Sequence, residues 1–345
     1  MESKEAIKRD AGGGHAGRGE MPRRFVAPVV GGLALLIALL GLIGTAIRDP
    51  RPHDIPVGLV GPAPAVQQIS TAFGTNAPGA FRFTTYSFEA DARSALDSRD
   101  VDGVLVVGGP SPRLILAGAA GDAETGIITA ALTNVFQAQG TTLELETVHP
   151  FASGDAHGLI LFFVVVAVII SALVTQALLF GAAPTAGFTG RLAVVIVFAV
   201  LAGLTAMGGA AWIAGDYGSG FWAATGLVVL AATAVGAAVA GSARLLGAAG
   251  LGLAALVVVL LDLVSSGGPA GSQLLPDFYR ALAPWMPAGS LYSSLRGALY
   301  FDGAGTAGPI GVLAGWLVAG IVLLWLGQVV ASRRRSSVAA VPAST

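Results

Sequence analysis

The residues in this chain that could do chemistry are few and widely spaced. His149, Asp155 and His157 fall close together and would allow a metal site, but no helix-spaced histidine pair accompanies them, and they read as a polar linker. Asp262 is the one acidic residue inside a long apolar run. A charge there is either a substrate or gating contact or an interfacial group that reaches water. Ser171, Thr175 and Gln176 form a weak polar stripe, and Ser171 and Thr175, four apart, share a helix face. Such a stripe serves helix packing or contact with a transported molecule. The Ser in "GGPSPR" sits in a turn, with no G-x-S-x-G elbow. No G-x-x-x-x-G-K phosphate loop occurs, so any ATP hydrolysis by that route belongs to another polypeptide. There are no cysteines, which removes disulfides, thiol catalysis and thiolate metal sites. No catalytic residue, cofactor or metal is therefore expected in this chain.

A second set of candidates lies in "ALAPWMPAGSLYSSLRGALYFDG", residues 281–303. It is too polar to be a span and too apolar to be an ordinary loop. Leu291, Leu295 and Leu299 recur every four residues on one helical face, with Ser294 and Arg296 off it. Trp285, Tyr292 and Tyr300 are aromatics suited to a membrane interface. Pro284 and Pro287 break the segment into short helices. Residues 276–303 thus read as an interfacial or re-entrant element, since irregular backbone enters a bilayer only under cover of protein or water. They are a gate, a lid or a passive linker.

The elements that must position these residues follow from composition. The 345 residues are 54% hydrophobic and 11% charged. A soluble domain carries roughly 25% charged residues, so most of the chain is membrane material. Six runs at about 25–47, 158–181, 192–214, 221–241, 245–264 and 310–331 are near the ~20 residues a crossing needs. Ala232, Gly236 and Ala240 give the fourth run a small-residue face for close helix contact. The first run exceeds the apolar core of a signal peptide and reads as an anchor. The net charge of −1 gives no basic field for nucleic acid.

Basic residues set the expected orientation. Lys4, Lys8, Arg9, Arg18, Arg23 and Arg24 precede the first run, and Arg333, Arg334 and Arg335 follow the last. With six crossings these fall on the same side as Arg191 and Arg244, which predicts cytoplasmic termini. Residues 1–24 and 332–345 are then basic tails, and 48–157 faces outward. Within 48–157, apolar runs at 55–61 and 101–107, the alternating "FRFTTYSF", "PRLILAGA" and "TLELETVHPF" read as strands. Helices lie between them: one after Pro62, one with Ala92, Ala95 and Leu96 on one face, and one near 122–139. That order predicts an extracytoplasmic α/β domain inserted between the first and second of six transmembrane helices, with a five-helix membrane domain over 158–331.

This plan, with Pro287, Gly289, Leu295 and Arg296 ahead of a last span and an Arg cluster, resembles type 2 ATP-binding-cassette exporter permeases. It is particularly similar to their phage-infection-protein (Pip-like) branch. The resemblance implies a homodimeric, or closely paired, permease subunit that works with a separate ATP-binding subunit. It would move a lipidic, drug-like or cell-envelope molecule outward. Trp285, Pro287, Gly289, Leu295 and Arg296 would form the outer gate, Ser171, Thr175, Gln176 and Asp262 would be polar membrane contacts, and Pro184, Phe188 and Arg191 would lie in the ATPase-coupling loop. The alternative is a membrane-anchored scaffold or receptor whose outer domain binds an envelope partner. The preference for Arg over Lys and the high Ala, Gly and Val content point to a GC-rich bacterium and its plasma membrane.

Overall fold

The computed structural model describes residues 20–48 and 50–339. The expected tails therefore fall largely outside the described residues. The described chain divides into two units between Thr45 and Ala46. The first holds helix α1 (Glu20–Ile47) up to that boundary, a continuous apolar helix with exposed Leu33, Leu36, Ile37 and Leu40.

The second unit contains the rest. Its five-stranded sheet is formed by β1 (Ile55–Val60), β2 (Phe81–Tyr86), β3 (Gly103–Val106), β4 (Arg113–Ala117) and β5 (Glu144–Val148). The spatial order is β2-β1-β3-β4-β5. Pairing is parallel except between β3 and β4, where Gly103 faces Leu116 and Val106 faces Arg113. The parallel neighbours need crossovers, supplied by α2 (Ala63–Asn76), α3 (Glu89–Asp97) and α4 (Asp122–Ala138). β1 is buried along its whole length, as a central strand covered on both faces must be. One face packs Leu59, Leu105, Leu114 and Ile128; the other packs Ala92, Leu96, Val104 and Ile115. The strand and helix order read from sequence is the order observed.

Six helical segments are long and apolar enough to cross a membrane: Val29–Ala46, Leu159–Ala182, Phe188–Ala214, Gly218–Leu246, Ala248–Ala270 and Ala307–Ser332. The chain is thus a multi-pass membrane protein with a small α/β domain. In the second unit α7 (Phe221–Leu246) is central and packs against α5 (Leu159–Ala182), α6 (Phe188–Ala214) and α12 (Ala307–Ala339). Its small residues make this contact: a Cβ on Gly236 would lie 3.2 Å from Val195 Cγ1, and one on Gly241 would lie 2.6 Å from Leu323 Cβ. Helix α7 runs on to Leu246, beyond the span end at 241 expected from hydropathy, and stops at Gly247 (φ 65°), whose N–H bonds the Ala243 carbonyl.

The fifth span is interrupted. α8 (Ala248–Ala255) passes through a π-helical turn, Leu256–Leu261, into the short α9 (Asp262–Ser265). The expected break at Pro284 and Pro287 is present: α10 (Asp277–Leu282), a 3-10 turn over Ala283–Trp285, and α11 (Pro287–Tyr300). Helix α11 is no surface helix. Ala288, Leu291, Tyr292 and Leu295 belong to the same apolar core as the spans. Ser294, expected off the buried face, has no exposed surface, because α11 is enclosed on more than its leucine side.

Candidate functional site

A cavity of about 740 Å³ lies between the α/β domain and the α9–α12 end of the helices. The α/β domain contributes Arg82, Arg99, Asp102 and Glu124 to its wall. The helical part contributes Trp285, Gly289, Tyr292 and Arg296, so three of the five expected gate residues line it. Leu295 and Pro287 are buried in the packing behind. Trp285 is 70% exposed, and its backbone carbonyl accepts a 2.8 Å hydrogen bond from Trp316 Nε1.

Two arginines join the two sides. Arg296, on α11, donates to the Ala120 carbonyl of the α/β domain and stacks 4.8 Å from the Tyr292 ring. Arg99, just past α3, donates in the other direction. Its Nη1 reaches the Ser293 carbonyl at 3.0 Å and the Ala304 carbonyl at 3.3 Å, and its Nη2 reaches Ser293 Oγ at 3.2 Å. Arg99 has φ 64°, a left-handed conformation that costs a non-glycine residue about 1–2 kcal/mol. Its charged hydrogen bonds across the junction, roughly 1.5 kcal/mol or more each, offset that cost.

Glu124 is 4% exposed, and its Oε2 has no hydrogen-bond partner among the described residues. The Arg296 Nε is likewise buried and unpartnered among them. The carboxylate packs directly against two glycines. A Cβ on Gly121 (φ 148°) or on Gly271 (φ 79°) would collide with it. Burial pushes the Glu124 carboxyl up to about 7, against the lowering pull of Arg296. Asp102 is pushed to about 6 by burial, opposed by Arg296, Arg99 and Arg82. Burial and the like charge of Arg296 lower Arg99 to about 10. The chamber therefore holds groups of both signs, with unsatisfied hydrogen-bonding atoms on Glu124 and Arg296. No nucleophile–base pair is seen in its wall among the described residues.

Asp262 supports the floor. It has no exposed surface, so it is not the interfacial group reaching water that its position implied. Its Oδ1 accepts the Ala288 N–H at 2.8 Å, and its Oδ2 has no partner among the described residues. Of the polar stripe, Gln176 is buried with both amide atoms unpartnered among the described residues, whereas Ser171 is exposed and Thr175 half-buried. The stripe is therefore split between two faces. The expected coupling turn lies at the far end of α5. There Pro184 is exposed and Phe188 half-buried, but Arg191 is only 1% exposed and braces the turn from inside.

The histidines separate too. His149 Nε2 pairs with Asp97 at 2.7 Å and His157 Nδ1 with Asp122 at 3.0 Å, while Asp155 accepts the Ile160 N–H at the start of α5. No family model, curated protein or solved structure matches this chain. Sequence reasoning misses Arg99, Asp102 and Glu124. Glu124 looks like an ordinary first-turn acid of α4, and only the sheet order carries it to α11.

Proposed function

We propose that this protein is the membrane permease subunit of an ATP-driven exporter, with an outward-facing α/β domain and cytoplasmic termini in a bacterial plasma membrane. The observation that carries the reading is the chamber. It is a cavity with charged groups in its wall, bounded on one side by the α/β domain and on the other by the buried helix α11 just ahead of the last span. A passive linker would have no need of buried charged groups with hydrogen-bonding atoms left over in such a space. The plan of one span, a domain, then five spans supports the same reading, as does its resemblance to exporter permeases. Arg296 and Trp285 gate the outer side. With no phosphate loop in this chain, a separate ATPase supplies the energy and meets the exposed turn at Pro184. The cargo is a lipidic, drug-like or envelope molecule, and two copies complete the path.

Affinity purification of the intact protein from its native membrane tests this. A stoichiometric P-loop ATPase is the expected companion. The second reading, an anchored binding module, draws on the arginine bonds that fix the α/β domain to the helices. An envelope protein or polymer recovered without any ATPase would favour it and overturn the exporter.

A further inference from the structure

The end of the helical bundle away from the α/β domain carries a second site, formed by different residues. Helix α5 begins beside the chamber, where the Gly158 carbonyl accepts the Tyr292 hydroxyl, and its 24 residues span about 36 Å. It ends at a tight turn, and α6 starts at Phe188. Arg191, one turn into α6, folds back on that turn. Its Nε donates to the Ala186 carbonyl at 3.1 Å, and its Nη2 to Ala183 at 3.2 Å and Pro184 at 3.3 Å. Arg244, from the last turn of α7, also donates to the Pro184 carbonyl at 3.3 Å, and to Gln328 Oε1 at 2.8 Å. Two guanidinium groups thus converge on a single carbonyl oxygen.

No acid among the described residues balances them. Neither arginine forms an ion pair there, and Arg191 Nη1 is buried without a partner among the same residues. Both arginines line a cleft of about 510 Å³. Its remaining wall includes Phe180, Pro184, Leu245, Leu246 and Ala331, with no carboxylate. Paired guanidiniums offer a forked set of donors matched to phosphate oxygens. The apolar side chains around them suit an acyl chain. A basic pocket between helix ends, at the level where the spans leave the apolar zone, faces phospholipid headgroups.

We propose that the cleft between the α5–α6 turn and the end of α7 binds a phosphate-bearing anion, in the membrane the headgroup of an anionic phospholipid, through Arg191 and Arg244. The proposal does not depend on the exporter reading. It predicts that this turn is held in place by lipid.

The full chain, purified in detergent, is titrated with phosphatidylglycerol, with phosphatidylcholine and with inorganic phosphate. Lipid retention is read by native mass spectrometry and thermal stability in parallel. Phosphatidylglycerol should raise the melting temperature and stay bound, and phosphatidylcholine should do neither. Arg244→Gln should weaken the phosphatidylglycerol effect about tenfold. Gln328→Ala, which removes a partner of Arg244 without changing charge, should leave it intact. Protection by inorganic phosphate alone, lost in Arg244→Gln, supports the site and assigns it to a soluble anion. Equal retention of the two lipids, or wild-type binding by Arg244→Gln, overturns the proposal. Should the neutral variant fail to fold, Arg244→Lys decides. A weakened preference supports the guanidinium contact, and an unchanged one overturns it.

Discussion

The carboxylate of Asp262 caps a helix that it does not belong to. Its Oδ1 accepts the backbone N–H of Ala288, at the second position of α11, across 26 residues of chain. The residue in the local capping position, Met286, makes no side-chain cap, and the next is Pro287. A free N–H buried in the first turn of α11 would be costly, and a side chain from the fifth span removes that cost.

Removing this cap should loosen α11. Asp262→Ala leaves the Ala288 N–H buried without a partner and should cost about 1–3 kcal/mol. Asp262→Asn keeps an acceptor and should cost less. Thermal unfolding in detergent checks the order. Equal melting temperatures for Asp262→Ala and wild type would show that the bond contributes nothing.

The chamber should make stability depend on pH. The Glu124 carboxyl stands at about 7 in the folded protein, above its ordinary 4.5. The folded state therefore holds this proton more tightly than the unfolded chain does. Stability is greatest below about 4.5, falls as pH rises, and levels off above about 7, by at most about 3 kcal/mol. Asp102, raised to about 6, acts in the same direction. Glu124→Gln should flatten the fall between pH 5 and pH 8. An unchanged slope in that variant would assign the effect to other groups.

The α/β domain should loosen from α11 when Arg99 is shortened. Arg99→Ala loses the bonds to Ser293 and Ala304 together. Amide hydrogen exchange over residues 293–304 should quicken, with little change in the sheet core around Leu59 and Leu105. Exchange that quickens equally in both regions would mean that Arg99 supports the domain itself rather than the junction.

The small-residue seam of α7 can be tested by size. In Gly241→Val the new Cβ would lie 2.6 Å from Leu323 and 2.7 Å from the Leu324 backbone. Forcing α7 and α12 apart in this way should cost about 1–3 kcal/mol. Gly226→Ala, on the same helix but with nothing within 4 Å, should be tolerated or slightly stabilising. Melting temperatures of the two variants should move in opposite directions, or only the first should fall.

The spans and the α/β order are legible in the sequence because both rest on local periodicity. Ala92, Ala95 and Leu96 lie on one face of α3 and are all buried, as their spacing requires. Leu291 and Leu295 are likewise fully buried. What cannot be read depends on contacts between distant segments. Arg296 is visible as an isolated charge, but its acceptor is a carbonyl 176 residues away. Glu124 is an unremarkable helix-start acid until the fold encloses it. Asp262 near the end of a span reads as a residue reaching water, and only the packing of α11 over it turns it into an interior cap. Arg191 reads as a loop charge, yet bends back to brace that loop.

The π-helical turn at Leu256–Leu261 bears on where Asp262 points. Such a turn takes up about one residue more than an α-helical turn. Each residue of an α-helix rotates the direction of its side chain by about 100°. If the same residues ran as unbroken α-helix, the acid would swing to another face and the Ala288 N–H would meet a different side chain. The surplus residue and the acid are therefore matched in rotational phase. Deleting one residue between 256 and 261 would restore a plain α-helix and still aim Asp262 at α11. Straightening the turn without shortening the chain would turn the acid away.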